Sequence, residues 1–242
     1  MVLAFVAGAA NAGGFLAVGQ YTSHMSGIFS ALADNLVLGA LGLVLAGLGG
    51  LVSFVTGAAC SAILINWGRR NRRDFYARPL LLEAALLLGF GLLGSLAHGT
   101  RWFTPLAVLM LCFIMGLQNA TVTKISGARI RTTHVTGMIT DVGIELGKLV
   151  YWNRAPIRLQ MLPVRADRPK LRLLGLLLGS FFIGGIFGAF GFQRWGFVTC
   201  VPLGLLLLLL AGPSMARDWV HRTPREGKPS PPRSTDDGVG GG

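Results

Sequence analysis

Asp141, Glu145 and Lys148 stand at i, i+4 and i+7, so a helix places all three on one face. Carboxylates inside a membrane are costly and commonly serve ions or protons. In so apolar a chain, Asp141 and Glu145 are therefore candidates for ion coupling. The plainer alternative is a Glu145–Lys148 salt bridge on a wetted face. Asp34, which shares a helical face with Ser30, has the same two readings.

A second set comes from recurring text. Ser23-His24-Met25-Ser26-Gly27 matches Thr133-His134-Val135-Thr136-Gly137. Ser26 and Thr136 are expected N-caps, their hydroxyls accepting from N–H groups two or three residues on. Gly27 and Gly137 leave room for backbone or solute, and His24 and His134 either line a site or cap loops. Each stretch follows an asparagine in an apolar segment, Asn11-Ala12 and Gln118-Asn119-Ala120. Asn11 and Asn119 offer amide hydrogen bonds to a solute or between helices, and the expected role of Gln118 is to join helices. The substrate-binding candidates are thus Asn11, His24, Ser26, Gly27, Asn119, His134, Thr136 and Gly137.

The elements that carry these residues are apolar. Of 242 residues 52% are hydrophobic and 13% charged, about half the charged share of a soluble domain. Mean hydropathy is +0.60. Six segments, about 1–19, 40–67, 79–98, 102–123, 172–192 and 195–213, have the length of a membrane-crossing helix. Two shorter amphipathic pieces, Ser26 to Leu38 and Thr136 to Val150, hold the polar motifs. The first segment lacks a basic n-region and a small-x-small cleavage site, so it is expected to stay as a helix. Glu83 interrupts its segment near Arg78, where it is expected to pair or reach the interface. The tail from 217 to 242 is rich in Pro, Ser, Gly and charge and is expected to be disordered.

The net charge of +12 raises the question of nucleic acid. The basic residues cluster in connections between apolar segments, where the positive-inside rule places them, and no nucleic-acid motif accompanies them. Cys60, Cys112 and Cys200 stand alone, without zinc or redox spacing. No metal set or cofactor motif is read, and the absence of a P-loop argues against ATP-driven work by this chain alone. Asp141, Glu145 and His134 without a nucleophile make a membrane enzyme the weakest of three readings.

Charge parity orders the crossings. The arginine-rich stretches 68–78 and 153–172 lie on one side only if an even number of crossings separates them. Segments 79–98 and 102–123 supply two, so 136–150 enters and leaves on one face. Each half then has three crossings and one short re-entrant or interfacial helix, and an odd repeat inverts the second half. Counterpart loops differ in charge as inversion requires: 20–25 has no Lys or Arg, while 124–133 carries Lys124, Arg129 and Arg131. The halves also share a Ser-Phe-x-x-Gly core, Ser53 to Gly57 and Ser180 to Gly184, in the same order as the other landmarks.

The expected fold is therefore an all-α membrane protein of six transmembrane helices in two inverted three-helix repeats, 1–98 and 102–216. Both termini are expected in the cytoplasm. Small-xxx-small pairs (Gly175/Gly179, Gly184/Gly188, Ala58/Ala62) are expected to pack helices within the chain, with an oligomer left open.

Four landmarks together resemble the YoaK-like family of bacterial inner-membrane proteins, a domain-of-unknown-function family, over about 1–215. They are Asn11-Ala12-x-x-Phe15-Leu16, Ser23-x-Met25-Ser26-Gly27, Gly116-Leu117-Gln118-Asn119-Ala120 and Thr132-Thr133-x-Val135-Thr136-Gly137. This sequence departs from the family pattern at Asn11, where an acidic residue is expected, and at Ile28, where an asparagine is. The missing carboxylate at 11 weakens any coupling mechanism that relied on it. The resemblance implies a multi-spanning bacterial inner-membrane protein and no established activity. From the short helices themselves the leading expectation is a transporter or channel for a small solute, with the bilayer as its surroundings. A non-transporting scaffold or sensor with basic cytoplasmic loops is the alternative.

Overall fold

The computed structural model describes residues 1–70, 76–125, 135–151 and 164–220, with side chains to 212. In chain order the helices are α1 (Val2–Val18), α2 (Met25–Val37), α3 (Leu41–Arg70), α4 (Ala77–Ala97), α5 (Phe103–Ile125), α6 (Val135–Val150), α7 (Arg168–Trp195) and α8 (Cys200–Val220). No strand occurs among the described residues. The turns between helices follow local chemistry. Gly19 takes a left-handed conformation (φ 75°), and its N–H closes α1 on the Phe15 carbonyl. Asp167 caps α7 by accepting from the Lys170 N–H, with Pro169 in the first turn, where its missing donor leaves no bond unmade. Gly196 (φ 60°) ends α7, and a 3-10 turn, Gly196–Thr199, leads into α8.

Among the described residues, four stretches are long and apolar enough to cross a membrane: Leu41–Arg70, Ala77–Ala97, Phe103–Ile125 and Arg168–Gly212, the last holding α7 and the first part of α8. α1 is apolar and, at 17 residues, a little shorter. The outer surface is apolar as well: Leu43 and Leu45 on α3, and Phe182, Phe187 and Phe190 on α7, are each more than half exposed. Water would penalise such a surface, whereas lipid matches it. The chain is a helical membrane protein.

The helices pair at long range. α1 packs along α7, α3 along α5 and α4 along α8, while the short helices α2 and α6 lie against α3 and α7. Glycines set the two closest crossings. A methyl at Gly57 would land on the Phe113 carbonyl oxygen, and one at Gly116 on that of Phe54. At the other crossing a methyl at Gly8 would meet the Phe181 carbonyl oxygen, and one at Gly184 that of Phe5. Backbones approach this closely only without side chains between them. Ser53 donates to the Leu109 carbonyl at 2.6 Å, and the Ser61 and Thr121 hydroxyls bond at 2.8 Å, joining α3 to α5 on either side of their crossing.

Of the small-residue pairs, Gly184/Gly188 packs as expected, against the backbone of α1 at Phe5 and Ala9. Gly175 and Gly179 face open space. No neighbouring helix approaches the backbone at these two positions, so nothing there needs a bare backbone.

A candidate functional site where the short helices begin

Asn11 stands just past the middle of α1, and its Oδ1 accepts from the Ser23 hydroxyl at 2.7 Å. That bond ties the connection before α2 back onto α1. Tyr21 is fixed there too, stacked on Phe15 with centroids 4.6 Å apart. The result is a cavity of about 860 Å³ between the starts of α2 and α6 and the middles of α3 and α7. Asn11 and Asn119 line it from α1 and α5, Ser26 and Thr136 from the first turns of α2 and α6, and Phe54 and Phe181 from the two glycine crossings. Tyr21, Ser23, His24 and Thr123 complete its polar part. A cavity of this size holds a small organic solute. Its lining combines aromatic faces with amide, hydroxyl and imidazole groups and contains no carboxylate among the described residues.

The structure thus brings Asn11, His24, Ser26, Asn119 and Thr136 to one cavity. His134 lies outside the described residues, and Gly137 follows Thr136 in the first turn of α6 without lining the cavity. Two expectations are corrected at α2. Ser26 is not its N-cap: the helix starts at Met25, with His24 in the cap position and no side-chain cap bond. The Met25 N–H turns back to the Ser23 carbonyl, and the helix starts two residues earlier than a Ser26 cap would place it. Gly27 makes room for the His24 ring rather than for solute, since a methyl at Gly27 would land on that ring. The N-cap position of α6 lies outside the described residues, and Thr136 falls in its first turn.

The carboxylates lie elsewhere. Asp34 is exposed on α2 and does not line the cavity. Asp141 and Glu145 form a clasp between α6 and the start of α7. Glu145 Oε1 pairs with Lys148 Nζ at 2.9 Å, and Lys170 Nζ stands 3.5 Å from Asp141 and 3.9 Å from Glu145. Glu145 Oε2 accepts the Asp167 N–H at 2.8 Å. The Glu145 side chain is 2% exposed, enclosed by these partners rather than by depth in the core. The Lys148 hydrogen bond, then the Asp167 N–H and the lysine charges, hold its carboxyl below the ordinary carboxylate range. A depressed folded-state value stabilises the fold above the unfolded value, and this contribution is lost as pH falls through the folded one. Acidification in that low range is expected to loosen α6 from α7, and Glu145→Gln to remove the pH dependence. Hydrogen exchange of the Asp167 amide measures both.

Residues 1–212 match the family described as a protein of unknown function, DUF1275. The chain belongs to the DUF1275 family. This is the family to which the sequence motifs point. No curated protein and no solved structure matches the chain. The match takes in every described residue that lines the cavity of this DUF1275 protein.

Two features go beyond what the sequence alone assigns. Phe54 and Phe181 are visible there as part of the repeated Ser-Phe-x-x-Gly text, which announces a recurrence but not a cavity wall. Glu83 neither pairs with Arg78 nor reaches the interface, which corrects the expectation for it. It is fully buried, both carboxyl oxygens lack hydrogen-bond partners, and the Arg78 guanidinium lies over the Trp67 ring, 3.7 Å from its centroid. Arg78 is drawn to the aromatic face one helix away, while Glu83 points into the packed side of α4.

Proposed function

We propose that this protein is a transporter or channel for a small solute in the bacterial inner membrane, built from two inverted halves. In this reading α1, α3, α4, α5, α7 and α8 cross the bilayer, α2 and α6 are re-entrant, and both termini are cytoplasmic. One observation carries it: the cavity is lined by the same positions of both halves. Asn11 and Asn119, Ser26 and Thr136, and Phe54 and Phe181 each occupy corresponding places in the recurring text. The crossings support the same reading. Phe5 and Gly8 of α1 meet Gly184 and Phe181 of α7 as Phe113 and Gly116 of α5 meet Gly57 and Phe54 of α3. An inverted pair of halves with short helices starting at a shared cavity is a recurrent design of secondary transporters.

The chemistry favours binding over catalysis. The α2 N-terminus lacks a side-chain cap, and helix N-terminal N–H groups attract lone pairs or negative charge. Phe54, Phe181 and Tyr21 add flat apolar faces. The favoured solute is small, carries oxygen lone pairs or one negative charge, and has an apolar part.

Reconstitution in liposomes tests the proposal with a panel of neutral and anionic solutes. Flux of at least one is expected, and Asn11→Ala, which removes an amide and frees Ser23, is expected to weaken its affinity roughly tenfold. Protein-free background rates across the whole panel would refute the transport reading.

A further inference from the structure

Glu83 lies one turn from Leu80 and Leu87 and beside Ala84, all buried in a single apolar cluster with Ile114 and Met115 of α5 and Leu203 and Leu207 of α8. α4 and α5 form an antiparallel hairpin. His98 packs edge-on against Phe103, and Gly89 lies beside the Met110 methyl. Continuing that register along the two helices brings Glu83 level with Gln118. Gln118 is also fully buried. Its Nε2 donates to the Leu3 carbonyl at 3.3 Å, and its Oε1 has no partner. An unpartnered carboxyl and an unpartnered amide oxygen therefore occupy one depth of an otherwise apolar core.

An ionised carboxylate without a partner in such surroundings is strongly disfavoured. A neutral carboxylic acid is compatible, because it needs one acceptor for its O–H. Gln118 Oε1 is an unused acceptor at the same level. A metal ion would need several more oxygen ligands, and the surrounding Leu, Ala, Ile and Met side chains supply none. No metal-ligating group of three acids, cysteines or histidines occurs among the described residues.

Among the described residues, no titratable group on the packed elements bonds to Glu83. On α3, Arg69 and Arg70 stand in the last turn, and Cys60 is a free thiol. On α5, Lys124 is in the last turn and Cys112 lies beside Gly50. Cys200 of α8 packs in a separate cluster with Phe90, and His98 closes the far end of α4. Arg217 and Asp218 fall beyond the described side chains of α8.

We propose that Glu83 is a proton-binding site inside the membrane, held as a neutral acid with Gln118 as its hydrogen-bond acceptor. This site is separate from the solute cavity, whose lining does not include Glu83. The test uses the full chain in lipid nanodiscs treated with dicyclohexylcarbodiimide, which modifies protonated carboxyls in apolar surroundings, followed by peptide mass mapping. Glu83 is expected to take the label in large excess over Asp34, Asp141 and Glu145. The label should decline as pH rises and be lost in Glu83→Gln. Infrared difference spectra are expected to show a neutral-acid carbonyl band that Glu83→Gln removes and Gln118→Leu moves to higher frequency. Gln118→Leu keeps the test decisive if Glu83→Gln misfolds. An unlabelled Glu83 with no neutral-acid band from about pH 5 to about pH 9 would overturn the proposal. Labelling needs no solute, so its failure is distinguishable from a failure of solute flux.

Discussion

Gly116→Ala is expected to abolish the folded state or to lower its stability by at least about 3 kcal/mol, the upper part of the range for overpacking. The added methyl would coincide with the Phe54 carbonyl oxygen, which is backbone. A flexible side chain could swing away, but a carbonyl in the middle of α3 cannot move without shifting the whole helix. That shift would break the Ser53–Leu109 and Ser61–Thr121 bonds on either side of the crossing. Gly57→Ala, which meets the Phe113 carbonyl from the opposite helix, is expected to be equally severe, and Gly8→Ala and Gly184→Ala to do the same at the α1–α7 crossing. Gly175→Ala is the control. That position is open, so alanine is expected to be neutral or to stabilise by about 0.5–1 kcal/mol through helix propensity. Thermal denaturation followed by size-exclusion chromatography in detergent reads all five. A Gly116→Ala protein melting within a few degrees of the parent would mean that the α3–α5 crossing can open to admit a methyl.

The second large effect is all-or-none. With Cys60, Cys112 and Cys200 replaced, single cysteines at Arg70, Lys124, Arg172 and Arg194 are expected to divide cleanly under an impermeant thiol reagent on intact cells. Only position 194 should label. Arg70 ends α3, Lys124 falls in the last turn of α5 and Arg172 in the second turn of α7, and the inverted arrangement puts all three ends in the cytoplasm. Arg194 is in the last turn of α7, a full crossing away from Arg172. The positive-inside rule agrees, since the dense basic stretches lie on the protected side. If 124 labels while 70 and 172 stay protected, an odd number of crossings separates α3 from the end of α5. The halves are then not inverted, and the proposed transport mechanism loses its symmetry argument.

Much of the fold is legible in the chain itself. Helix length and apolar run length are local properties, so the long segments can be read directly. The segment placed at 102–123 is the helix Phe103–Ile125, and that at 79–98 is Ala77–Ala97. The short amphipathic pieces are also legible, because a polar stripe with carboxylates breaks an apolar chain. The recurring Ser-Phe-x-x-Gly text can be seen as well, but its purpose cannot. Only the packed structure decides that each glycine of that text meets a carbonyl of a distant helix, and that each phenylalanine faces the cavity. The fates of the carboxylates are decided at the same level. Glu145 finds Lys170 and the Asp167 N–H across a chain separation that no periodicity encodes. Arg78 and Glu83 lie about one and a half helical turns apart, so they project to different sides of α4 and meet different neighbours. Burial of one acid in an apolar cluster depends on which helix lies against it, and sequence spacing within a single helix does not supply that partner.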